Sequence, residues 1–239
     1  MKTFTFDQVV SSDYGVGISG DGVFNAPEKV YTMQEIPGRN GDLAVYENRF
    51  ANITVKYPAF VTKNFKANIQ GLRNALLAKT GYKRLTDTYH ADEFRLGIYA
   101  GGLDVDPGYN NLTGKFDIEF NCKPQRFLTS GETAQTFTTS GSITNPTLFP
   151  SRPLLVVTGI GEVGMGDHTI TIGGTTSRTV HIDCELMDAW YMDGSAKVSY
   201  NEYVTYSGNK IPELKQGANG ITKSSGISSI VITPRWWRI

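Results

Sequence analysis

Between residues 114 and 122 the chain alternates without a break: Phe116, Ile118, Phe120 and Cys122 are interleaved with Lys115, Asp117, Glu119 and Asn121. A period of two puts one set on each face of an extended chain, which predicts a half-buried β-strand. Pro124 then stops the ladder, because it has no N–H to donate. Strand character recurs at 82–89, 93–99, 112–121, 154–157, 168–172, 179–186, 200–206 and 227–233, with Gly101-Gly102 breaking one strand and Gly173-Gly174 able to turn a hairpin. One segment departs from this. Phe65, Ile69, Leu72 and Leu76 recur at steps of four, three and four, one stripe of an α-helix. Thr62 or Asn64 can cap its start, and Gly81 can supply the left-handed residue that ends it.

These elements predict a mainly β protein in two parts. The first is a β-rich α+β domain whose single helix can cover a sheet face, spanning 1–131. Residues 129–147 are rich in Ser, Thr and Gly and poor in aliphatics, so 132–147 is expected to be a linker with room for one edge strand. The second domain, 148–239, has short strands and no helical period, the pattern of a compact β-sandwich or jelly roll. No repeat relates the two halves.

Composition removes several function classes. Lys+Arg and Asp+Glu are 23 each, so the formal net charge is zero and a phosphate-gripping, nucleic-acid-binding role is a poor fit. The 12 Tyr, 12 Phe, 3 Trp and 26 Gly suit aromatic strands joined by tight turns. The first residues, MKTFTFDQVV, lack the apolar core of a secretory signal, and no run is long enough to span a membrane. Folding in a cytoplasm is expected, where Cys122 and Cys184 form no disulfide framework and each reads as a small core hydrophobe. On 179–186, Cys184 is expected to share its face with Val180, Ile182 and Leu186. The sequons at Asn52 and Asn111 mean little without a secretory route.

Several motifs invite chemistry. G-x-G-x-x-G occurs at Gly15, Gly17, Gly20 and at Gly159, Gly161, Gly164. A dinucleotide site needs a helix opening at the last glycine to hold the phosphate, and neither copy has one, so both read as turns. His181, Asp183 and Glu185 would share one strand face and could together hold a divalent metal for an enzyme; the simpler account is the polar outside of a half-buried strand. His90 beside Asp92-Glu93 fits a turn between strands better than an acid–base pair. No nucleophile elbow, Walker loop or H-E-x-x-H occurs, and no cofactor is implied. Adjacent Trp236 and Trp237 would point to opposite faces of a strand, one to the core. With Trp190 and Tyr191 they are the candidates for an exposed platform, for a sugar ring or a subunit contact. Gly38, Arg39, Asn40, Gly41 and Asp42 fit a tight turn projecting a charged fork, either an interface element or a plain surface hairpin.

Taken in order, IPGRNGDL (36–43), RLTDTYHADEFRLGIYAGG (84–102), GKFDIEFNCKPQRFLTSGE (114–132), NPTLFPSRPLLVVTGIG (145–161), IDCELMDAW (182–190), PELKQGAN (212–219) and the closing TPRWWRI resemble the distal tail protein (Dit) family of long, non-contractile-tailed bacteriophages. The resemblance implies an N-terminal ring-forming domain with one helix and a C-terminal sandwich of galectin or carbohydrate-module type. It implies a structural, non-enzymatic virion protein of the tail tip. This would be a homohexameric hub between the tail tube protein and the tail-tip protein, on which receptor-binding proteins are built. The alternative expectation, from a different class, is a carbohydrate-binding module or adhesin contacting the host cell wall through Trp190, Tyr191, Trp236 and Trp237.

Overall fold

In the computed structural model, residues 1–20, 23–108 and 112–239 are described. The sequon at Asn111, with Tyr109 and Asn110 before it, lies outside the described residues. The chain divides into two units, Met1–Arg126 with Ile239, and Phe127–Arg238.

The first unit contains β1 (Phe4–Phe6), β2 (Val9–Val10), β3 (Val16–Ile18), β4 (Lys29–Gln34), β5 (Leu43–Phe50), β6 (Ile53–Val61), α1 (Phe65–Leu77), β7 (Lys83–Asp87), β8 (Glu93–Ile98), β9 (Val105–Pro107) and β10 (Gly114–Cys122). Its main sheet is antiparallel in the order β2-β1-β7-β8-β10-β6-β3, with β9 on β10. β10 pairs with β6 over its whole length, from Gly114↔Val61 to Cys122↔Ile53. That register puts Val55, Tyr57, Ala59, Phe116, Ile118 and Phe120 on one buried face, as the period of two requires. Phe4, Phe6, Tyr57 and Tyr99 cluster about the Phe120 ring at centroid distances of 5.0–6.3 Å. Helix α1 lays Ile69, Leu72 and Leu76 into the same core. The opposite face of β6 and β10 is wet, and there Lys56 bridges Asp117 at 2.8 Å and Glu119 at 3.3 Å.

The helix ends differ from expectation. Asn64 stands at the N-cap in a left-handed conformation (φ 49°) with no side-chain capping bond. Its carbonyl instead accepts the Asn68 N–H. Gly81 is left-handed (φ 72°) but lies beyond the last turn, which Ala78 and Lys79 already close. At Gly97 on β8 a Cβ would lie 2.9 Å from the Cys122 sulfur, so the close approach of β8 to β10 depends on that glycine.

The second unit is a two-sheet sandwich. It contains β11 (Arg126–Leu128), β12 (Gln135–Phe137), β13 (Gly141–Asn145), β14 (Leu154–Gly159), β15 (Gly161–Met165), β16 (His168–Ile172), β17 (Thr179–Asp183), β18 (Asp188–Asp193), β19 (Ala196–Ser199), β20 (Val204–Tyr206), β21 (Gly217–Lys223), β22 (Ile227–Thr233) and β23 (Trp237–Arg238). One sheet runs β12-β22-β14-β17-β18-β19 and the other β13-β21-β15-β16-β20. Leu155, Val157, Val180, Ile182, Ile230 and Ile232 of the first face Ile143, Val163, Met165, Ile170, Ile172 and Ile221 of the second. β11 pairs with β23, and the Leu128 N–H donates to the Trp236 carbonyl.

The stretch expected as a linker is structured. After a 3-10 turn at Thr129–Glu132, β12 joins β22 and β13 joins β21. Ile143 is buried, and Asn145 donates to the carbonyls of Phe149 and Leu214, both at 2.9 Å. The second unit therefore starts near Phe127 and not at 148. The reason is that only Ile143 of β13 has to supply apolar area; its Ser and Thr neighbours face water, so composition understates a strand there. In 200–206, Asn201–Tyr203 forms a 3-10 turn and only Val204–Tyr206 is strand. β17 ends at Asp183, so Leu186 sits in the following turn at 67 % exposure and does not share the buried face of Cys184. Both glycine motifs are turns and strands, with Gly159 and Gly161 at φ 124° and 139° in the tight connection from β14 to β15.

Candidate assembly surface

β4 and β5 pair with each other in a separate two-stranded sheet, an arm carried by the first unit. Tyr31↔Tyr46, Thr32↔Val45, Met33↔Ala44 and Gln34↔Leu43 are opposite one another. Cross-strand partners share a face. One face of the arm therefore carries Tyr31, Met33, Ala44 and Tyr46, and the other Thr32, Gln34, Leu43 and Val45. Tyr31 and Tyr46 pack ring to ring at 5.3 Å. On the other face the Thr32 hydroxyl donates to Glu47 at 2.6 Å, and Arg49 bonds the second carboxylate oxygen at 3.0 Å. Those two contacts, Thr32 first, hold the exposed Glu47 carboxyl below its ordinary pKa. Near the base the register slips between Lys29 and Tyr31, and Asn48 is left-handed (φ 56°), a bulge that bends the arm.

What makes this arm a candidate is apolar surface on both faces. Tyr31, Met33, Leu43 and Val45 are 48 %, 59 %, 44 % and 47 % exposed. A lone two-stranded hairpin is marginal in water, and among the described residues no third strand pairs with either of its edges. Exposed apolar side chains on two faces and two open edges suit a segment that becomes covered by another chain. Its tip is the turn at residues 38–42. Gly38 (φ 77°) and Gly41 (φ 81°) take the left-handed conformations that a side chain would strain, and the Arg39 N–H donates to the Ile36 carbonyl. Gly38, Arg39, Asn40, Gly41 and Asp42 are all exposed. Sequence reading found this turn and missed the strands on either side. Leu43, Ala44, Val45 and Tyr46 are apolar in succession, so the period of two is absent. The available signal was an Asn-Gly turn between two runs rich in β-branched and aromatic residues.

The aromatic candidates do not form one surface. Trp236 is buried in the sandwich core at 3 % exposure. Trp237 stacks on Phe149 at 4.5 Å and donates its indole N–H to the Pro150 carbonyl. Trp190 lies on the outer face of its sheet between His181, stacked at 5.3 Å, and the Lys197 ammonium, 3.9 Å from its ring centroid. Tyr191, on the opposite face of β18, packs toward the core with the Arg178 guanidinium over its ring at 4.2 Å. His181, Asp183 and Glu185 do not converge. His181 is committed to Trp190, Asp183 is 5 % exposed, and Glu185 lies beyond the strand, 3.9 Å from Arg152. Among the described residues no group of three His, Cys, Asp or Glu could hold a metal ion. His90 and Asp92 sit in the turn from β7 to β8, where the Asp87 carboxylate accepts the N–H groups of Tyr89 and His90 and the Tyr57 hydroxyl.

No family model matches the chain, and no curated protein does. Among solved structures, the Dit protein (gp 19.1) of phage SPP1, described as a paradigm of the hub adsorption apparatus in phages infecting Gram-positive bacteria, superposes with a TM-score of 0.72. It does so over 100 % of both chains at 14 % identity. The chain has the Dit fold. A chain of the phage P2 baseplate in its activated conformation with Ca matches less closely, with a TM-score of 0.50 at 10 % identity over 97 % of each chain. The likeness that the sequence motifs carry to Dit proteins is thus met in three dimensions along the whole length of the chain. On this Dit fold the arm belongs to the first unit and the two-sheet sandwich is the second.

Proposed function

We propose that this protein is a structural component of a phage tail, the hub at the tip of a long non-contractile tail, and not an enzyme. The observation that carries the reading is the full-length match to the SPP1 Dit fold. In this reading six copies form a ring through their first units, joining the tail tube protein to the tail-tip protein. The arm supplies the contact: copies joined head to tail close into a ring when the rotation fits, and the neighbour covers the arm's apolar faces and open edges. Zero net charge leaves no general electrostatic barrier to packing copies side by side. Receptor-binding proteins would then be built on the hub.

Co-expression with tail tube and tail-tip proteins, followed by electron microscopy, tests this. Six copies in a closed ring with the first units inward is the expected image. The quadruple variant Tyr31→Ser, Met33→Ser, Leu43→Ser, Val45→Ser should fold normally and fail to enter the ring. A protein that stays monomeric beside both partners, while its second unit binds a cell-wall glycan, would overturn the hub in favour of an adhesin.

A further inference from the structure

The neutral total conceals a separation of charge within the first unit. Helix α1 turns a ridge of Lys66, Gln70, Arg73 and Leu77 to solvent, spaced four, three and four apart, while Ile69, Leu72 and Leu76 face the core. The helix contains no Asp or Glu at all, and its first turn holds a lysine where the macrodipole favours an acid. Lys66 and Arg73 form no ion pair among the described residues. This positive ridge does nothing for the helix itself.

On the other side of the sheet that α1 covers, a hollow of about 890 Å³ opens beside β6, β9 and β10. Pro58 and Phe60 give it apolar surface, Asp104, Asp106, Asp117 and Glu119 give it acid, and Lys56 and Lys115 are the bases in its lining. Lys56 is shared between Asp117 and Glu119, and with four acids against two bases in the lining the local balance stays negative. One unit thus presents a basic, partly apolar helix face, where Lys66, Gln70 and Arg73 border a smaller hollow with Leu103 and Asp104, and, across its sheet, an acidic, partly apolar hollow.

We propose that the α1 ridge of one copy docks into the β6–β10 hollow of the next. The inference rests on the ring reading above and adds the second contact surface to it. A head-to-tail interface requires two unlike, complementary surfaces on each subunit, and these two differ in charge. A helix laying an i, i+4, i+7 face into a groove is a recurrent way to be recognised. Leu77, 49 % exposed, would be covered along with Phe60.

The test uses charge reversal in the full-length chain, with self-association followed by sedimentation velocity and native mass spectrometry. Lys66→Glu/Arg73→Glu and, separately, Asp106→Lys/Asp117→Lys should each weaken association by about tenfold or more, and raised salt should weaken the unaltered protein too. Mixed in equal amounts, the two variants should recover association, because every contact in an alternating ring is again between opposite charges. Unchanged thermal unfolding of each variant shows that folding is intact. Unaltered association in both variants, or no recovery on mixing, overturns the docking. If only the arm variant loses association, the arm contact stands and this one fails. If the unaltered protein stays monomeric at every concentration, this docking fails, and the arm is judged by the tail complex alone.

Discussion

Arg235 holds Asp183 with both arms of its guanidinium, Nη1 to Oδ1 and Nη2 to Oδ2, each at 2.8 Å. The same Oδ1 accepts the N–H groups of Glu185 and Leu186, so one carboxylate ties the β17–β18 turn to the chain 52 positions further on. Arg235 adopts a left-handed backbone (φ 57°) to reach it, a conformation costing on the order of 1 kcal/mol that the bidentate pair must outweigh.

Acid should loosen the second unit first at this pair. Burial alone would raise the Asp183 pKa, but Arg235 and the two turn N–H groups outweigh it, and the carboxyl lies below its ordinary 3.8. A depressed carboxyl stabilises the fold above the unfolded-state value and loses that contribution as pH falls through the folded-state value. Asp183→Asn should cost about 2–3 kcal/mol near pH 7, toward the low side for a broken buried pair because Arg235 keeps some solvent contact, and should flatten the loss below pH 3.8. Urea unfolding followed by tryptophan fluorescence at pH 7 and pH 3 measures both. All 3 tryptophans lie in this unit, so the signal reports on it alone.

A fragment beginning at Phe127 should fold, and one beginning at 148 should not. The shorter fragment loses β12, β13, the buried Ile143 and the Asn145 bonds to Phe149 and Leu214, and it exposes the edges of β22 and β21. Circular dichroism and a cooperative urea transition in the longer fragment, absent in the shorter, are the expected results. A cooperative transition in the shorter one would return residues 132–147 to the role of a linker.

Both thiols should resist a bulky disulfide reagent in the native protein and react once urea is added. Burial pushes each of them up to about 12, so neither offers a thiolate at neutral pH. Cys122→Ser should cost about 1–3 kcal/mol by placing a hydroxyl in an apolar setting. Gly97→Ala should cost a similar amount, because its methyl would press on the Cys122 sulfur from 2.9 Å. Thermal unfolding of the two variants checks both figures.

The arm should be separable from the core. Gly41→Val puts a β-branched residue at φ 81°, so amide exchange over residues 29–50 should rise severalfold while the protection of β6 and β10 stays unchanged. Equal loss of protection in β10 would show that the arm supports the sheet, against its pairing in a separate one.

Much of this architecture is written in the local pattern. β10, β16 and β22 have one buried and one wet face, so a period of two exposes them to reading, and α1 declares itself through Phe65, Ile69, Leu72 and Leu76 for the same reason. The mainly β fold, the helix, the glycine turns, the tip at residues 38–42 and the burial of both cysteines follow from spacing and residue type alone. The rest depends on groups far apart in sequence. Asp183 alternates with apolar residues and reads as a solvent-facing acid; it is inside because Arg235 arrives to neutralise it. Which of Trp236 and Trp237 enters the core is decided by the pairing of β23 with β11 and not by either residue. β13 becomes a strand because β21 offers it an edge, although its own composition is that of a linker. The arm is the inverse case, with exposed apolar side chains on both faces, so no period of two marks it. Burial by distant segments is a property of the assembled chain, and the local pattern carries it only where one face is always wet.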